Sequence, residues 1–369
     1  MERPTIRRRT VLTAGAGLAA FAALGHRTAG AAPGDEPPTA EINQRLTRLF
    51  GDYADTAGAW TGADSAYSVP LPDGRTAWLY SDTFLGTVNP DGSRPLDSPF
   101  IHNSIIVQDG GRLTTITGGT SAAPTSLVAP AGADESKTWY WFGDGTVEGR
   151  RLRVLLLEFE KTGDGPFDFA YRRTAIASFA LPEVRLETIT PLPDPAPDLP
   201  LHWASAVVEQ PDHTYVFGVE DRQAEKYAHL ARVRPGRLTQ DPWQYFTGDG
   251  WSADPTASAR ILAGVSNEFS MTRHRGGWLL ITGDARQPLS ADIVGYRSRS
   301  LTGGFGEPIK LYSTPETGGN VFTYNAKAHP QLTRDETVVI TYNVNSFESD
   351  DLYADARLYR PRYVNVSFS

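Results

Sequence analysis

The 369-residue chain carries 35 Lys+Arg against 43 Asp+Glu and no cysteine. Five of the basic residues (Arg3, Arg7, Arg8, Arg9, Arg27) and one acidic residue, Glu2, precede position 32, so the other 338 residues hold 30 basic and 42 acidic side chains, a formal charge of −12. That balance argues against a nucleic-acid reader and against adhesion to anionic lipid, and the lack of cysteine excludes disulfides, thiolate metal sites, a cysteine nucleophile and a lipid-modified cysteine.

Residues 1–31 read as a targeting segment. Arg7-Arg8-Arg9 precedes a short apolar run, Val11 to Leu24, and Ala29-Gly30-Ala31 offers a small-residue cleavage site. This is the layout of a secretory signal, and the arginines suggest the twin-arginine route. The run is shorter than the ~20 apolar residues of a membrane span, so no membrane anchor is expected. Residues 32–41 are Pro-rich and read as a disordered mature start. Residues 42–369 remain for the folded domain.

Within that domain the clearest helical candidate is Ile42 to Phe50, with Leu46, Leu49 and Phe50 on one face. The rest alternates short runs of Val, Ile, Tyr, Phe and Trp with Gly/Pro turn clusters, the pattern of β-strands. One motif recurs: a strand ending in a small or aromatic residue and then a carboxylate or amide, at Asp82, Asp144, Asp221, Asp284 and Asn343. The intervals are 62, 77, 63 and 59 residues. Four of these strands follow a turn and another strand: Ser65–Leu71, Ala204–Glu209, Glu268–Arg273 and Ala326–Leu332. Three or four antiparallel strands per unit of about 65 residues make a propeller blade, and five units predict an all-β, five-bladed β-propeller.

A propeller gathers the starts of its innermost strands and the ends of its second strands at one rim, and function must be argued from the residues there. In the first blade, Asp73-Gly74 predicts a two-residue hairpin turn. Residues whose numbers sum to 147 would then pair, which sets Ser65 opposite Asp82 and leaves Asp64 within one residue of facing Asp82. Two carboxylates at that separation suit glycoside hydrolysis, which needs one protonated and one ionised. Each aspartate alone equally suits a turn cap. Trp60 frames the pair. Further rim candidates are His102 and Asn103, His202 and Trp203, Asn267 and Glu268, and Asn325, Lys327 and His329, with Asn343 closing the last motif. Trp203 could stack on a sugar or fill a core, and Lys327 and His329 alternate on one strand face. No G-x-S-x-G elbow, H-E-x-x-H pair or P-loop occurs. Seven histidines do not suggest a multi-His metal centre; no cofactor is expected, and a single channel-bound ion stays open.

The segment Ala59-Trp60-Thr61-Gly62-Ala63-Asp64, then Asp73 to Phe84 and His102-Asn103-Ser104, resembles secreted actinobacterial five-bladed propellers, a group formerly described as domains of unknown function, some of which are endo-D-arabinanases. Tyr324 to Pro330, Ile340 to Asn345 and Leu358 to Arg362 are similar to the same group. The resemblance implies a furanosidase-like site with Asp64 and Asp82 as its acid–base pair, Asp64 as base and Asp82 as acid, and inversion at the anomeric carbon. Trp60, His102, Asn103, Trp203, Glu268, Lys327, His329 and Asn343 are the expected substrate-binding residues. The expectation is a secreted, extracellular, monomeric enzyme acting on arabinofuranose-containing polysaccharide. The alternative is a non-catalytic carbohydrate-binding propeller.

Overall fold

The computed structural model describes residues 36–165, 167–192, 199–334 and 336–369. The expected targeting segment, 1–31, lies outside the described residues. Five antiparallel sheets follow one another along the chain. From inside outward, the first blade takes Trp60–Pro70, Thr76–Leu85, Ser104–Asp109 and Arg112–Ile116, and the second Thr138–Glu148, Arg151–Lys161, Phe169–Ala180 and Arg185–Pro191. The third begins Leu201–Glu209, Thr214–Arg222, Glu225–Val233, and the fourth runs Phe269–His274, Gly277–Gly283, Asp292–Ser298, Ile309–Ser313. The fifth comprises Val321–Ala328, Thr337–Ser346, Arg362–Ser367 and, outermost, Thr39–Ile42. The five innermost strands touch in ring order, which makes the chain a five-bladed β-propeller.

The ring holds together because both faces of each blade are apolar and meet a neighbour. One buried cluster fills each seam. Leu79 and Ile105 meet Phe142 and Leu156 between blades one and two, and Leu155 and Ile176 meet Trp203 and Val216 in the next. Phe217 and Leu230 meet Phe269 and Leu280, and Leu279 and Ile281 meet Ile340 and Val364. Val339 and Tyr363 close on Trp60 and Trp78. Each such side chain contributes roughly 1.5–3 kcal/mol by leaving water.

Two features close the ring. Thr39–Ile42 pairs antiparallel with Arg362–Ser367, from Thr39 opposite Ser367 to Ile42 opposite Val364. The Pro-rich start expected to be disordered through residue 41 therefore enters the fold at Thr39. All four strand residues are exposed, so backbone pairing recruits them; the last blade would otherwise present an open edge. The helix runs Gln44–Thr56, later and longer than the expected Ile42–Phe50, because Ile42 belongs to the strand and Asn43 caps the helix by accepting from Leu46 N at 3.0 Å. Its buried stripe is Leu46, Phe50 and Ala54. Phe50 lies 5.1 Å from the Trp78 ring and 5.2 Å from that of Tyr363, so it plugs the closing seam.

Three expectations need correction. Asp144 lies on the innermost strand of its blade, whereas Asp82, Asp221 and Asn343 lie on second strands; the uneven intervals of 62 and 77 come from that mismatch. The first-blade turn has three residues, closed by Leu71 N to Arg75 O at 2.8 Å with Gly74 at φ +88°, so Tyr67 pairs with Leu79, one register step from the expected pairing. The fifth innermost strand ends at Ala328, because Pro330 opens a 3₁₀ turn.

Replacing Phe50 with alanine should remove the plug without touching the channel. We expect a loss of about 3–5 kcal/mol, read from urea unfolding of the purified protein. A loss below ~1 kcal/mol would show that the helix is dispensable for closure.

Candidate active site

A cavity of about 1080 Å³ opens where the innermost strands begin, and Asp64, Asp82, His102 and Glu268 all line it. The first-blade hairpin brings the two aspartates together. Ala63 pairs with Thr83 and Ser65 with Tyr80, so Asp64 faces the Ser81–Asp82 step. The strand bulges there: Ser65 and Ala66 take left-handed conformations, at φ +68° and +61°. Gly62 lets the chain of Tyr359 come close, since a Cβ on it would stand 2.1 Å from Tyr359 O.

The two aspartates meet different partners. Asp64 is half-buried in the cavity wall, and its Oδ2 accepts the hydroxyls of Tyr324 at 2.8 Å and Tyr359 at 2.9 Å. Its Oδ1 is buried without a hydrogen-bond partner. Burial, then the nearby charges of Asp82 and Glu268, push its pKa well above the usual carboxylate range, against the smaller opposing effect of the tyrosines. Burial also raises both phenols, so they stay donors.

Asp82 is held by donors that suit an anion. Its Oδ1 accepts from Trp141 Nε1 at 2.8 Å and from His102 Nδ1 at 2.8 Å. The other ring nitrogen of His102 faces the carbonyl of Glu135 at 3.1 Å. Both ring nitrogens thus meet acceptors, which only the doubly protonated imidazolium satisfies. Burial opposes that charge, but the Asp82 carboxylate and the Glu135 carbonyl outweigh it and raise the imidazole. His102 also stacks on Trp139, centroids 4.8 Å apart.

Below the pair lies Lys327. Its Nζ is 2.6 Å from Glu268 Oε2, a close ion pair made side-on, and it donates to the carbonyls of Asn325 at 2.8 Å and of Ser65. Glu268 Oε1 accepts from Ser65 Oγ at 2.7 Å. Burial lowers the Lys327 pKa, opposed chiefly by Glu268. Asp144 stands nearby and takes backbone N–H groups from Gly145 at 2.8 Å and Val207 at 2.7 Å; burial raises it to about 7 even so. Among the described residues no cluster of three or more His, Asp or Glu side chains is set to hold a metal ion.

Of the ten residues expected to be catalytic or substrate-binding, Asp64, Asp82, His102 and Glu268 line the cavity, as do the further rim candidates His202, Asn267 and Asn325. Lys327 is fully buried and meets the cavity through its partners Glu268 and Asn325, which line it. The other five are packing residues. Trp60 lies in the closing seam, 5.4 Å from Tyr80, and Trp203 packs on Tyr245 at 5.3 Å. Asn103 pins the carbonyls of Val128 and Tyr140 at 2.7 and 2.9 Å. His329 is fixed between Ser68 and Thr341, and burial lowers it to about 3. Asn343 donates to Ala63 O at 3.4 Å. Trp60, Trp203 and His329 sit on or just beyond innermost strands, Asn343 on a second strand and Asn103 just before a third, and all five are buried. Tyr324, Tyr359 and Trp141, which the sequence reading did not single out as site residues, hold the aspartates. The alternation of Trp139 and Trp141 on one strand was the available signal for one of them.

Two variants probe this network. Lys327→Met leaves Glu268 buried without its cation, and should cost about 3–5 kcal/mol; adding Glu268→Gln should recover much of it in a double-mutant cycle. Additive losses would show that the pair is not coupled. Asp144→Asn removes an acceptor for one of two buried N–H groups, so it should cost about 1–3 kcal/mol in acid. The parent's aspartate, raised from 3.8 to about 7, contributes stability fully below pH ~4 and loses it as pH rises through about 7. The Tm gap between parent and variant should therefore narrow from pH 5 to pH 8; a constant gap would refute the raised value.

No curated protein sequence matches the chain. Among solved structures, a Bacteroides ovatus protein provisionally named a hydrolase superposes with a TM-score of 0.74 at 20% identity, covering 89% of this chain and 90% of its own. An exo-β-1,3-galactanase of Phanerochaete chrysosporium superposes with a TM-score of 0.51 at 10% identity, covering 84% of this chain and 61% of its own. For a glycoside hydrolase family 43 β-1,3-galactosidase the values are 0.54, 11%, 84% and 57%. The chain spans about three fifths of those two galactose-linkage enzymes, and at these identities the likeness is one of fold. The family model described as a domain of unknown function, DUF5005, matches residues 47–368, and the chain belongs to that family.

Proposed function

We propose that the protein is an exported glycoside hydrolase that cleaves arabinofuranosidic linkages in polysaccharide, with Asp64 and Asp82 as its acid–base pair. The observation that carries this reading is the contrast between two aspartates facing one cavity: Asp64 in a place that favours its proton, Asp82 between a cation and an indole N–H. Glycoside hydrolysis needs that contrast. The twin-arginine-like start supports export, and the net negative charge suits a neutral glycan.

The environments favour the converse of the roles implied by resemblance. Asp64 gives its proton to the glycosidic oxygen as the bond to the anomeric carbon breaks. Asp82 takes a proton from the water that attacks the opposite face. The leaving group departs as an alcohol, the sugar gains the hydroxyl with inverted configuration, and solvent resets the two carboxyls. No cofactor is required.

Purified protein incubated with D-arabinan, L-arabinan and arabinogalactan should release oligosaccharides from one of them. Asp64→Asn and Asp82→Asn should each lower kcat by roughly 10²–10⁴-fold. If Asp64 is the acid, its variant should recover on 4-nitrophenyl arabinofuranosides, whose leaving group needs no proton, and azide should restore only the Asp82 variant. Activity should fall as pH rises through the raised Asp64 value, and Tyr324→Phe, which removes a donor favouring the anion, should move that limb to higher pH. Full activity in either Asn variant refutes the pair; tight oligosaccharide binding without turnover favours a carbohydrate-binding propeller.

A further inference from the structure

Among the described residues, exposed large apolar side chains are few, and three of them, Phe100, Phe167 and Phe347, line the mouth of the cavity. Phe167 is 53% exposed and Phe347 45%. Exposed aromatic area on a soluble domain carries a cost that a ligand would relieve.

Two of these rings extend the wall that holds Asp64. Tyr324, which donates to Asp64, lies 5.5 Å from Phe322; Phe322 lies 4.6 Å from Phe347 at an interplanar angle of 30°; Phe347 lies 6.2 Å from Phe167, which comes from the second blade. Polar side chains beside this run are already engaged: Ser346 donates to Asp351 at 2.6 Å, and Asn345 to Tyr324 at 3.5 Å. The opposite wall differs. There Asn267 donates to Asp221 at 2.9 Å, Lys226 pairs with Asp221, and Glu268 lines the cavity. The cavity is thus polar on blades three and four and phenylalanine-lined from Tyr324 outward. Three phenylalanines offer flat apolar faces and no hydrogen bonds, whereas a bare sugar ring is better served by Trp or Tyr.

We propose that Phe322, Phe347 and Phe167 form a subsite for an aromatic group on the leaving-group side of the substrate, so that the glycan cleaved carries aryl substituents there. The side follows from the acid role given to Asp64 above, on which this inference rests, because the acid stands against the leaving oxygen. The aromatic nature of the ligand follows from the wall alone.

The neutral dye N-phenyl-1-naphthylamine tests the wall without turnover. It should bind the full protein saturably, and Phe347→Ala and Phe167→Ala should each weaken its Kd by roughly 3–10-fold, with Leu289→Ala, an exposed apolar residue outside the cavity, unchanged. Both phenylalanines are half-exposed, so the fold should survive. Phe347→Ala should also raise KM for 4-nitrophenyl arabinofuranoside with kcat held, and leave the methyl glycoside unaffected. Dye binding that is absent, or indifferent to both phenylalanines, overturns the subsite. Dye binding that depends on Phe347 in a protein whose Asp64→Asn variant keeps full activity would sustain the aromatic wall and overturn its leaving-group assignment together with the acid role.

Discussion

The ammonium of Lys327 is the point on which the channel depends. It reaches blade one through Ser65 O, blade four through Glu268, and its own blade through Asn325 O. Two of those carbonyls belong to non-glycine residues at positive φ, Ser65 at +68° and Asn325 at +57°. Such a conformation costs roughly 1–2 kcal/mol per residue, and persists where the surroundings over-determine it. A buried ammonium needs acceptors as much as the turned carbonyls need a donor. The contacts between them therefore offset both the cost of burying the charge and the cost of bending the strands. The bulge at Ser65 lies next to Asp64, so the knot that joins three blades also sets the carboxyl in the channel.

From that placement the chemical difference between the aspartates follows without any difference in side chain. Asp64 is set deep, where only two phenols reach it and one oxygen is left bare. Asp82 lies on the neighbouring strand, within reach of the second blade's Trp141 and of His102, two residues before the third strand. His102 cannot satisfy both Asp82 and the Glu135 carbonyl unless it is charged. Geometry thus fixes a cation beside one carboxylate and withholds it from the other. Lys327 does not undo the contrast, since its ammonium is already turned to Glu268 and two carbonyls.

The five-bladed architecture could be read from the sequence because a blade advertises itself: short aromatic and β-branched runs between Gly/Pro turns, repeating near 65 residues. Asp64, Asp82, His102 and Glu268 could be read too, since a propeller rim collects strand starts and ends. What failed was the direction of side chains. Innermost strands are buried both where they line the channel and where they enter a seam, so Trp60, Trp203 and His329, on or just beyond such strands, look like channel residues and are packing residues. The same double burial made the innermost strand that carries Asp144 resemble a second strand. The register error came from Asp73-Gly74, which suits a two-residue or a three-residue turn; the position of Gly74 at φ +88° decides it, and no residue name reports φ. Tyr359 lies 295 positions from Asp64, a distance over which no local pattern carries information.

Charge at the level of the whole chain and charge at the site turn out to be separate matters. The 42 carboxylates after residue 31 set a general repulsion toward anions, yet the cavity does not present itself as an acidic surface. Asp64 sits where a proton is favoured, Asp82 is matched by His102, and Glu268 is matched by Lys327. The near-neutral floor and the phenylalanine mouth ask for a ligand without net charge. A polar wall on blades three and four faces an apolar one running from Tyr324 to Phe167, and under the proposed function a ligand lying across both would carry hydroxyls on one side of the scissile bond and a flat apolar group on the other. Asymmetry of that kind gives orientation: the bond can approach Asp64 from one end only, which is the condition for a single proton donor to act on a single leaving oxygen.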